Sequence, residues 1–185
     1  VPNEINAHPH SSEIVSVVHN GIIENSNDLK SELEIKGCKF KSQTDTEVIT
    51  LLITEFLKEN DPLNSVFKTL EKLKGSFALG IIFKNFGDTI IGARRGSPLA
   101  VGYSDKENYL GSDSYALKSM TNKISYLDDG DICVLTKESI KFYDTNKNKT
   151  NKKVFTLSDD KNISDKGDYK NFMSKEIFEQ PITSK

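Results

Sequence analysis

The stretch that decides the organisation of this chain is Val15-Ser16-Val17-Val18-His19-Asn20-Gly21-Ile22-Ile23. Its apolar, β-branched residues predict a strand over residues 14–20. Asn20-Gly21 follows, and because glycine has no Cβ and accepts positive φ, the pair predicts a tight change of direction. The simplest interpretation is a hairpin turn between two strands. A chemical alternative is that the Asn side chain and the glycine N–H direct two hydrogen-bond donors to one point, as an oxyanion site requires.

Composition and charge narrow the class of protein. The 185 residues suit one domain with a tail, and 36% hydrophobic with 28% charged residues predict a soluble globular chain. A formal net charge of −2 gives no electrostatic footprint for nucleic acid or for an anionic membrane. No apolar run approaches the length of a membrane span. Two cysteines without a secretory signal pattern predict a cytoplasmic location.

Helical patterns come first along the chain and strand patterns follow. Capping residues and apolar spacing predict helices over residues 27–36, from Thr44 to about Lys58, and from Asp61 to the stop signal Gly75. Residues 144–153 are interpreted as a solvated turn, and residues 158–185 as a polar linker with one helical pattern near 170–178. Shorter apolar runs predict a helix over 114–121 and strands at 77–83, 89–94, 99–103, 109–111, 131–135, 140–143 and 153–157. The predicted fold class is α+β.

Histidine and cysteine are the residue types most often used for metal binding and nucleophilic catalysis. His8, His10 and His19 all fall in the first nineteen residues, but no carboxylate or thiol stands at ligand spacing beside them, so no metal site is expected. Cys38 follows a helix C-terminus, where the negative end of the dipole disfavours a thiolate. Cys133 lies in an apolar strand and is expected to be inert core. Neither cysteine is predicted to be a nucleophile.

Two other positions allow a functional and a structural interpretation. Asp45 lies in the first turn of the second predicted helix, where exposed N–H groups stabilise an anion. It either caps the helix or holds an ionised carboxylate ready for an ammonium group. Arg94-Arg95, followed by a Gly-Ser-Pro turn, could bind phosphate, although solvated arginines at the end of a sheet are the commoner explanation.

Several motifs occur in order over almost the whole chain. They are Asn6-Ala7-His8-Pro9-His10, Val18-His19-Asn20-Gly21-Ile22-Ile23-Glu24-Asn25, Thr44-Asp45-Thr46-Glu47-Val48, Ala93-Arg94-Arg95-Gly96-Ser97-Pro98-Leu99, Gly111-Ser112-Asp113, Asp165-Lys166-Gly167 and Met173-Ser174-Lys175-Glu176-Ile177-Phe178-Glu179-Gln180-Pro181. With these motifs the chain resembles the glutaminase domain of the glutamine–fructose-6-phosphate aminotransferase (isomerizing) family, also called glucosamine-6-phosphate synthases. These enzymes are class II glutamine amidotransferases.

The resemblance implies a fold and a set of roles. The fold would be the αββα four-layer sandwich of the N-terminal-nucleophile hydrolases, in which an N-terminal cysteine attacks the side-chain amide of glutamine. By motif match, Asn20 and the N–H of Gly21 would form the oxyanion hole. Gly21 and Asp45 would contact the substrate, and Asp45 would bind the α-ammonium group of glutamine. Ammonia would pass to a sugar isomerase domain that converts fructose 6-phosphate to glucosamine 6-phosphate. No cofactor and no metal are expected.

The resemblance also sets expectations about what lies outside this sequence. The family's nucleophilic cysteine and its Arg-Trp-Ala-Thr-His-Gly segment would precede Val1, so the chain alone is expected to be inactive. Residues 1–157 would be a partial glutaminase domain, and residues 158–185 its end and the start of a linker to a sugar isomerase domain. The expected partners are glutamine, glutamate, that domain and further copies of the full-length protein. The alternatives are another class II amidotransferase and a non-catalytic binding module of the same fold.

Overall fold

The strands form two antiparallel sheets in the computed structural model, which describes residues 3–157 and Met173. In chain order they are β1 (His10–Ser11), β2 (Val15–Ile23), β3 (Gly75–Phe83), β4 (Ile90–Arg95), β5 (Ala100–Tyr103), β6 (Asn108–Gly111), β7 (Lys123–Tyr126), β8 (Ile132–Leu135), β9 (Ile140–Tyr143), β10 (Lys149–Thr150) and β11 (Phe155–Thr156). The larger sheet has the order β1-β2-β3-β4-β8-β9-β10 and the smaller β11-β7-β5-β6. Every paired strand is antiparallel to its neighbour.

The helices begin at the capping residues that the sequence indicates. Thr44 accepts a hydrogen bond from the N–H of Glu47, and Asp61 accepts one from the N–H of Asn64 at 3.0 Å. Such caps satisfy N–H groups that have no partner inside the helix. The three predicted long helices are therefore confirmed to within a few residues at each end. The helices are α1 (Ser26–Ile35), α2 (Asp45–Phe56), α3 (Pro62–Lys72) and α4 (Ser114–Leu117).

The layers are helix, sheet, sheet and helix. One face of the larger sheet packs against α1, α2 and α3, in a core that includes Val17, Ile49 and Ile81. Its other face packs against the smaller sheet, and α4 covers the outer face of that sheet through Leu117. Burying both faces of a sheet is the main source of stability for such a sandwich. The predicted α+β class and αββα layering are confirmed.

The predicted turn at Asn20-Gly21 is wrong. β2 runs without interruption from Val15 to Ile23 and pairs residue for residue with β3, so that Gly21 lies opposite Phe77. Gly21 does have a positive φ of 133°, but the strand absorbs it without changing direction. The chain turns only after Ile23, in the segment that leads into α1.

Smaller differences concern short strands. β7 is absent from the sequence-based predictions because it has only four residues, of which two are buried, so it shows no countable period. The predicted solvated tract 144–153 contains β10, and the predicted strand 153–157 is reduced to β11. The predicted hairpin of β8 and β9 is confirmed. The linker and the helix predicted near 170–178 lie outside the described residues, apart from Met173.

Within residues 3–157 and 173, no helix is both long enough and apolar enough to cross a membrane.

Candidate active site

The outer edge of β2 is open over its second half. β1 pairs with β2 only at Ser16 and Val17. In the part of the chain that the structure describes, no strand pairs with this edge from Val18 to Ile23, whereas the other edge is paired with β3 throughout. Backbone groups on this edge therefore have no strand partner and can bind a ligand.

The alternation of β2 places the N–H of Gly21 on the open edge. At the two ends of the strand, the C=O of Ile14 accepts from Lys84 N and the N–H of Glu24 donates to Lys74 O, so even-numbered residues bond towards β3. The N–H of Ile23 instead donates to Asp45 Oδ2 at 2.8 Å, on the opposite side. Because successive residues of an antiparallel strand bond to opposite sides, Gly21 shares the side of Ile23.

Asn20 presents its side chain beside that edge. It is solvent-exposed and lies opposite Ala78 in the register of β2 and β3. Among the described residues its amide has no hydrogen-bond partner. It lines a cavity of about 200 Å³ together with residues of both sheets and of the N-terminal segment, among them His8, His19, Leu99, Leu110 and Ser112. The Asn20 amide is therefore an uncommitted donor on this cavity, one residue before Gly21 along β2.

Asp45 is the first residue of α2 and meets the open edge of β2 at Ile23. Its Oδ2 accepts the hydrogen bond from Ile23, and its Oδ1 lies 3.7 Å from His19 Nδ1. Burial disfavours the carboxylate, but the nearby His19 ring and the hydrogen bond from the Ile23 N–H outweigh it and hold the pKa of Asp45 below its usual value of 3.8. The side chain remains 27% exposed, so an ionised carboxylate faces the site.

All three histidines gather at the N-terminus of α2. Thr46 Oγ1 lies 3.1 Å from His8 Nε2 and 3.2 Å from His19 Nδ1, and Thr44 Oγ1 lies 2.9 Å from His10 Nε2. Burial lowers the pKa of His8, and the neighbouring His10 and His19 lower it further. Of the residues that the structure describes, no group of three or more His, Cys, Asp or Glu could hold a metal ion. The histidine nitrogens contact threonine hydroxyls instead.

The comparison with protein families assigns the chain to a domain family. The model of the glutamine amidotransferase domain matches residues 4–119, a range that contains both the open edge of β2 and the N-terminus of α2. The chain belongs to the glutamine amidotransferase domain family.

Curated relatives share the sequence over nearly all of this amidotransferase chain. It is 51% identical over 182 residues to the glutamine–fructose-6-phosphate aminotransferase (isomerizing) of Zymomonas mobilis subsp. mobilis, covering 98% of this chain and 30% of that protein. It is 44% identical over 182 residues to the enzyme of the same name from Thermotoga maritima, covering 97% of this chain and 30% of that protein. The chain thus spans about a third of the length of these relatives.

Solved structures of amidotransferases share the fold. The glutamine phosphoribosylpyrophosphate (PRPP) amidotransferase from B. subtilis, complexed with ADP and GMP, superposes with a TM-score of 0.63 at 25% identity over 73% of this chain and 30% of that one. A structure described as the allosteric regulatory enzyme of purine biosynthesis has a TM-score of 0.64 at 26% identity, over 78% of this chain and 32% of that one. These likenesses confirm the N-terminal-nucleophile hydrolase-type fold.

Neither cysteine of this amidotransferase chain lines the cavity at Asn20. Cys38 Sγ donates to Glu55 Oε1 at 3.6 Å, and burial together with that carboxylate raises the pKa of the Cys38 thiol. Cys133 is buried between the sheets, where burial raises its pKa to about 12. The two thiols stay protonated and unreactive at neutral pH.

Arg94 and Arg95 do not form an anion site. Arg95 donates to the carbonyls of Leu73 at 2.8 Å and Leu70 at 3.3 Å, which satisfies C=O groups at the C-terminus of α3. Arg94 donates to Leu127 O and to Asp129 Oδ1, each at 2.7 Å. Because both guanidinium groups are bound to the protein, the structural interpretation of this pair is the correct one.

The sequence-based interpretation overlooked three contributors to the site. His19 and Thr46 bridge β2 and α2, and the Glu47 carboxylate accepts hydrogen bonds from Lys41 N at 2.8 Å and Ser42 N at 2.6 Å. A signal for His19 was present, since Val15, Val17 and His19 alternate on the face that α2 covers. The partners of Glu47 carried no such signal, because they lie in an irregular segment.

Proposed function

We propose that the chain is part of a glutaminase domain, which hydrolyses glutamine to glutamate and ammonia. The observation that carries the proposal is the arrangement on one edge of β2: two uncommitted donors, the Asn20 amide and the Gly21 N–H, beside the ionised Asp45. Donors aimed at a developing negative charge and an anion placed for a cation are the two things that an amide-cleaving site for an amino acid requires.

In the proposed reaction, negative charge develops next to the hydrogen-bond donors of β2. A cysteine thiolate attacks the side-chain amide carbon of glutamine, and the carbonyl oxygen becomes an oxyanion. Asn20 and the Gly21 N–H donate to that oxyanion and lower the barrier. The nitrogen of the tetrahedral intermediate takes up the proton that the thiol gave to the cysteine's own α-amino group, and ammonia leaves as the intermediate collapses to a thioester. Water then hydrolyses the thioester to glutamate. Neither Cys38 nor Cys133 lines the cavity at Asn20, so we propose that the attacking cysteine belongs to a part of the protein outside residues 1–185.

Asp45 and the backbone of Gly21 bind the α-amino end of glutamine in this proposal. An ammonium group beside an ionised, partly buried carboxylate gains more than it would at an exposed one, because water screens it less. Asp45 is held to β2 through the N–H of Ile23, so its carboxylate stays on the strand that carries the oxyanion donors.

The ammonia acceptor is proposed from the curated relatives. Their names specify fructose 6-phosphate, and the match to the Zymomonas mobilis enzyme extends over 98% of this chain. We propose that residues 1–157 belong to the glutaminase domain and that residues 158–185 lead to a sugar isomerase domain, which makes glucosamine 6-phosphate for amino-sugar synthesis. We further propose a cytoplasmic homo-oligomer, in keeping with two free cysteines.

The test uses the full-length protein encoded by the gene that carries this chain. The purified protein is incubated with glutamine, with and without fructose 6-phosphate, and glutamate and glucosamine 6-phosphate are quantified. We expect glutamate release, and glucosamine 6-phosphate only when both substrates are present. Absence of glutamate in both reactions would favour a non-catalytic binding module of the same fold.

A second candidate is an amidotransferase that acts on a different acceptor. It is favoured by the superposition on the B. subtilis PRPP amidotransferase, at 25% identity. The same assay separates the two candidates when PRPP replaces the sugar phosphate. Glutamate release that depends on PRPP, with no amino sugar formed from fructose 6-phosphate, would select the second candidate.

A further inference from the structure

His19 occupies an unusual position for a polar side chain. Its side chain is only 2% exposed, and its Nδ1 faces two oxygens at once: Thr46 Oγ1 at 3.2 Å and Asp45 Oδ1 at 3.7 Å. Its Nε2 is fully buried and has no hydrogen-bond partner among the described residues. A buried group of this kind is kept for a reason other than general packing, because an apolar side chain would avoid the unpaired nitrogen.

The surroundings of His19 select one tautomer. Asp45 is ionised, so a proton on Nδ1 faces a negative charge, whereas a lone pair there would be repelled by it. With the proton on Nδ1, the buried Nε2 carries an unpaired lone pair and not an unpaired N–H, which is the less costly of the two defects. His19 therefore donates from Nδ1.

A second hydrogen bond continues in the same donor-to-acceptor direction, from Thr46 to His8. Thr46 Oγ1 accepts from His19 Nδ1 and keeps its own hydroxyl proton for His8 Nε2, 3.1 Å away. His8 can accept that proton because burial, with His10 and His19 nearby, lowers its pKa and favours the neutral ring. The three side chains form one directed chain, which fixes the ring of His19 at the same nitrogen that faces Asp45.

Asp45 is thus held by one hydrogen bond and one electrostatic contact. Oδ2 accepts from the N–H of Ile23, and Oδ1 lies 3.7 Å from the protonated Nδ1 of His19, whose N–H dipole attracts the carboxylate. A carboxylate has about four lone-pair positions, so the remaining ones are free for a ligand. We propose that His19 is a positioning residue of the glutaminase site, which orients the Asp45 carboxylate towards the α-ammonium group of glutamine. This inference rests on the function proposed above.

The test distinguishes the contributions of the two ring nitrogens of His19 by substituting this residue in the full-length protein. His19→Asn keeps a donor near the Nδ1 position, and His19→Gln keeps one near the Nε2 position. We expect His19→Gln to raise the KM for glutamine about 10-fold while kcat falls less than about 3-fold, because a contact to a charged substrate receptor is lost. The KM of His19→Asn should stay close to that of the wild type. Equal KM values in the two variants, or a loss confined to kcat, would overturn the inference.

Thr46 offers a second matched pair. Thr46→Val removes the hydroxyl at nearly constant volume, and Thr46→Ser keeps it. We expect the Val variant to raise the KM for glutamine, and the Ser variant to rescue it at the same melting temperature. If both variants behave alike, the hydroxyl bridge plays no part in positioning and the inference fails.

Two further measurements remove ambiguity. If the His19 variants do not fold, the tautomer is read in the wild-type protein by nitrogen-15 NMR of labelled histidine: an Nδ1-protonated His19 supports the inference, and an Nε2-protonated ring overturns it. Asp45→Asn distinguishes the proposed role of Asp45 from that of His19. An unchanged KM in Asp45→Asn would contradict the proposed role of Asp45 itself, whereas a raised KM there with normal His19→Gln kinetics would contradict only the role of His19.

Discussion

The α-carbon of Gly21 lies so close to Ser76 that a Cβ at position 21 would be 2.1 Å from the Ser76 carbonyl oxygen. The φ of Gly21, +133°, is also one that other residues rarely adopt. Glycine at this position therefore serves two ends. It lets β2 approach β3 without a break in register, and it leaves the N–H of Gly21 facing the open edge.

Gly21→Ala should destabilise the protein more than an ordinary glycine substitution. The methyl group would meet backbone, which cannot move aside as a flexible side chain can, so we expect a loss of about 3 kcal/mol in the free energy of unfolding. Gly37→Ala is the matched control: its φ is +88°, but nothing lies within 4 Å of the new Cβ, so only about 1 kcal/mol of backbone strain is expected. Denaturant unfolding measures both. Equal losses would contradict the close packing of β2 on β3.

The same glycine shows why the fold could be predicted better than this one strand. Helices α1 to α3 are marked by local capping residues such as Thr44 and Asp61, and most strands by apolar runs, so composition and spacing were enough. Whether Asn20-Gly21 turns or continues depends on β3, which is more than fifty residues away and pairs along the whole strand. Local propensity favoured the turn, and tertiary pairing overrode it.

Some residues of the candidate site could likewise be predicted from the sequence, and others could not. Asn20, Gly21 and Asp45 were predicted from motifs and a resemblance, and the structure brings their elements together at one edge. His19 and Thr46 form a contact across β2 and α2 that spacing alone does not specify, because helix and strand periods say which face is buried and not which residue it meets. The arginine pair was left open by the sequence, since the carbonyls of α3 that Arg95 binds are twenty or more residues away.

Glu47 gives a prediction about pH. Its side chain is buried and accepts two backbone N–H bonds, from Lys41 and Ser42; burial opposes ionisation, but these bonds outweigh it and lower the pKa of Glu47 below the usual 4.5. Glu47→Gln would place an NH₂ group against one of those donors. We expect a loss of about 3 kcal/mol in the free energy of unfolding at pH 7, measured by denaturant titration.

The pH dependence of that loss follows from the sign of the shift. A carboxylate with a lowered pKa stabilises the fold fully above its unfolded value of 4.5, and this stabilisation disappears as the pH falls through the folded pKa. The difference between wild type and Glu47→Gln should therefore shrink below pH 4.5. Glu32→Gln, on the exposed surface of α1, is the control and should change stability by less than about 0.5 kcal/mol at any pH. A Glu47 difference that is constant down to pH 3 would contradict the ionised carboxylate.

Asp45→Asn should act on substrate binding. Loss of the charged contact to the α-ammonium of glutamine is expected to cost about 2–3 kcal/mol, which is a rise of about 30- to 150-fold in KM, with little change in kcat. The pKa of Asp45 lies below 3.8, so its contribution should stay constant from pH 7 to pH 5. Steady-state glutaminase kinetics of the full-length protein measure both.

Asp61→Asn is the matched control for Asp45→Asn. It makes the same chemical change at the N-terminus of another helix, α3, where the side chain caps Asn64 and lies outside the cavity at Asn20. Its KM for glutamine should equal that of the wild type. A loss of kcat in Asp45→Asn with an unchanged KM would remove Asp45 from the binding role.

The central claim is that the open edge of β2 stabilises an oxyanion, and the kcat of Asn20→Ala for glutamine hydrolysis tests it most directly. In the full-length protein we expect kcat to fall about 10²- to 10³-fold while KM changes less than about 3-fold, because the donor acts on charge that exists only in the transition state. Asn85→Ala, an exposed asparagine in the turn after β3, is the control and should leave kcat unchanged. A kcat for Asn20→Ala within about 3-fold of the wild type would contradict the claim.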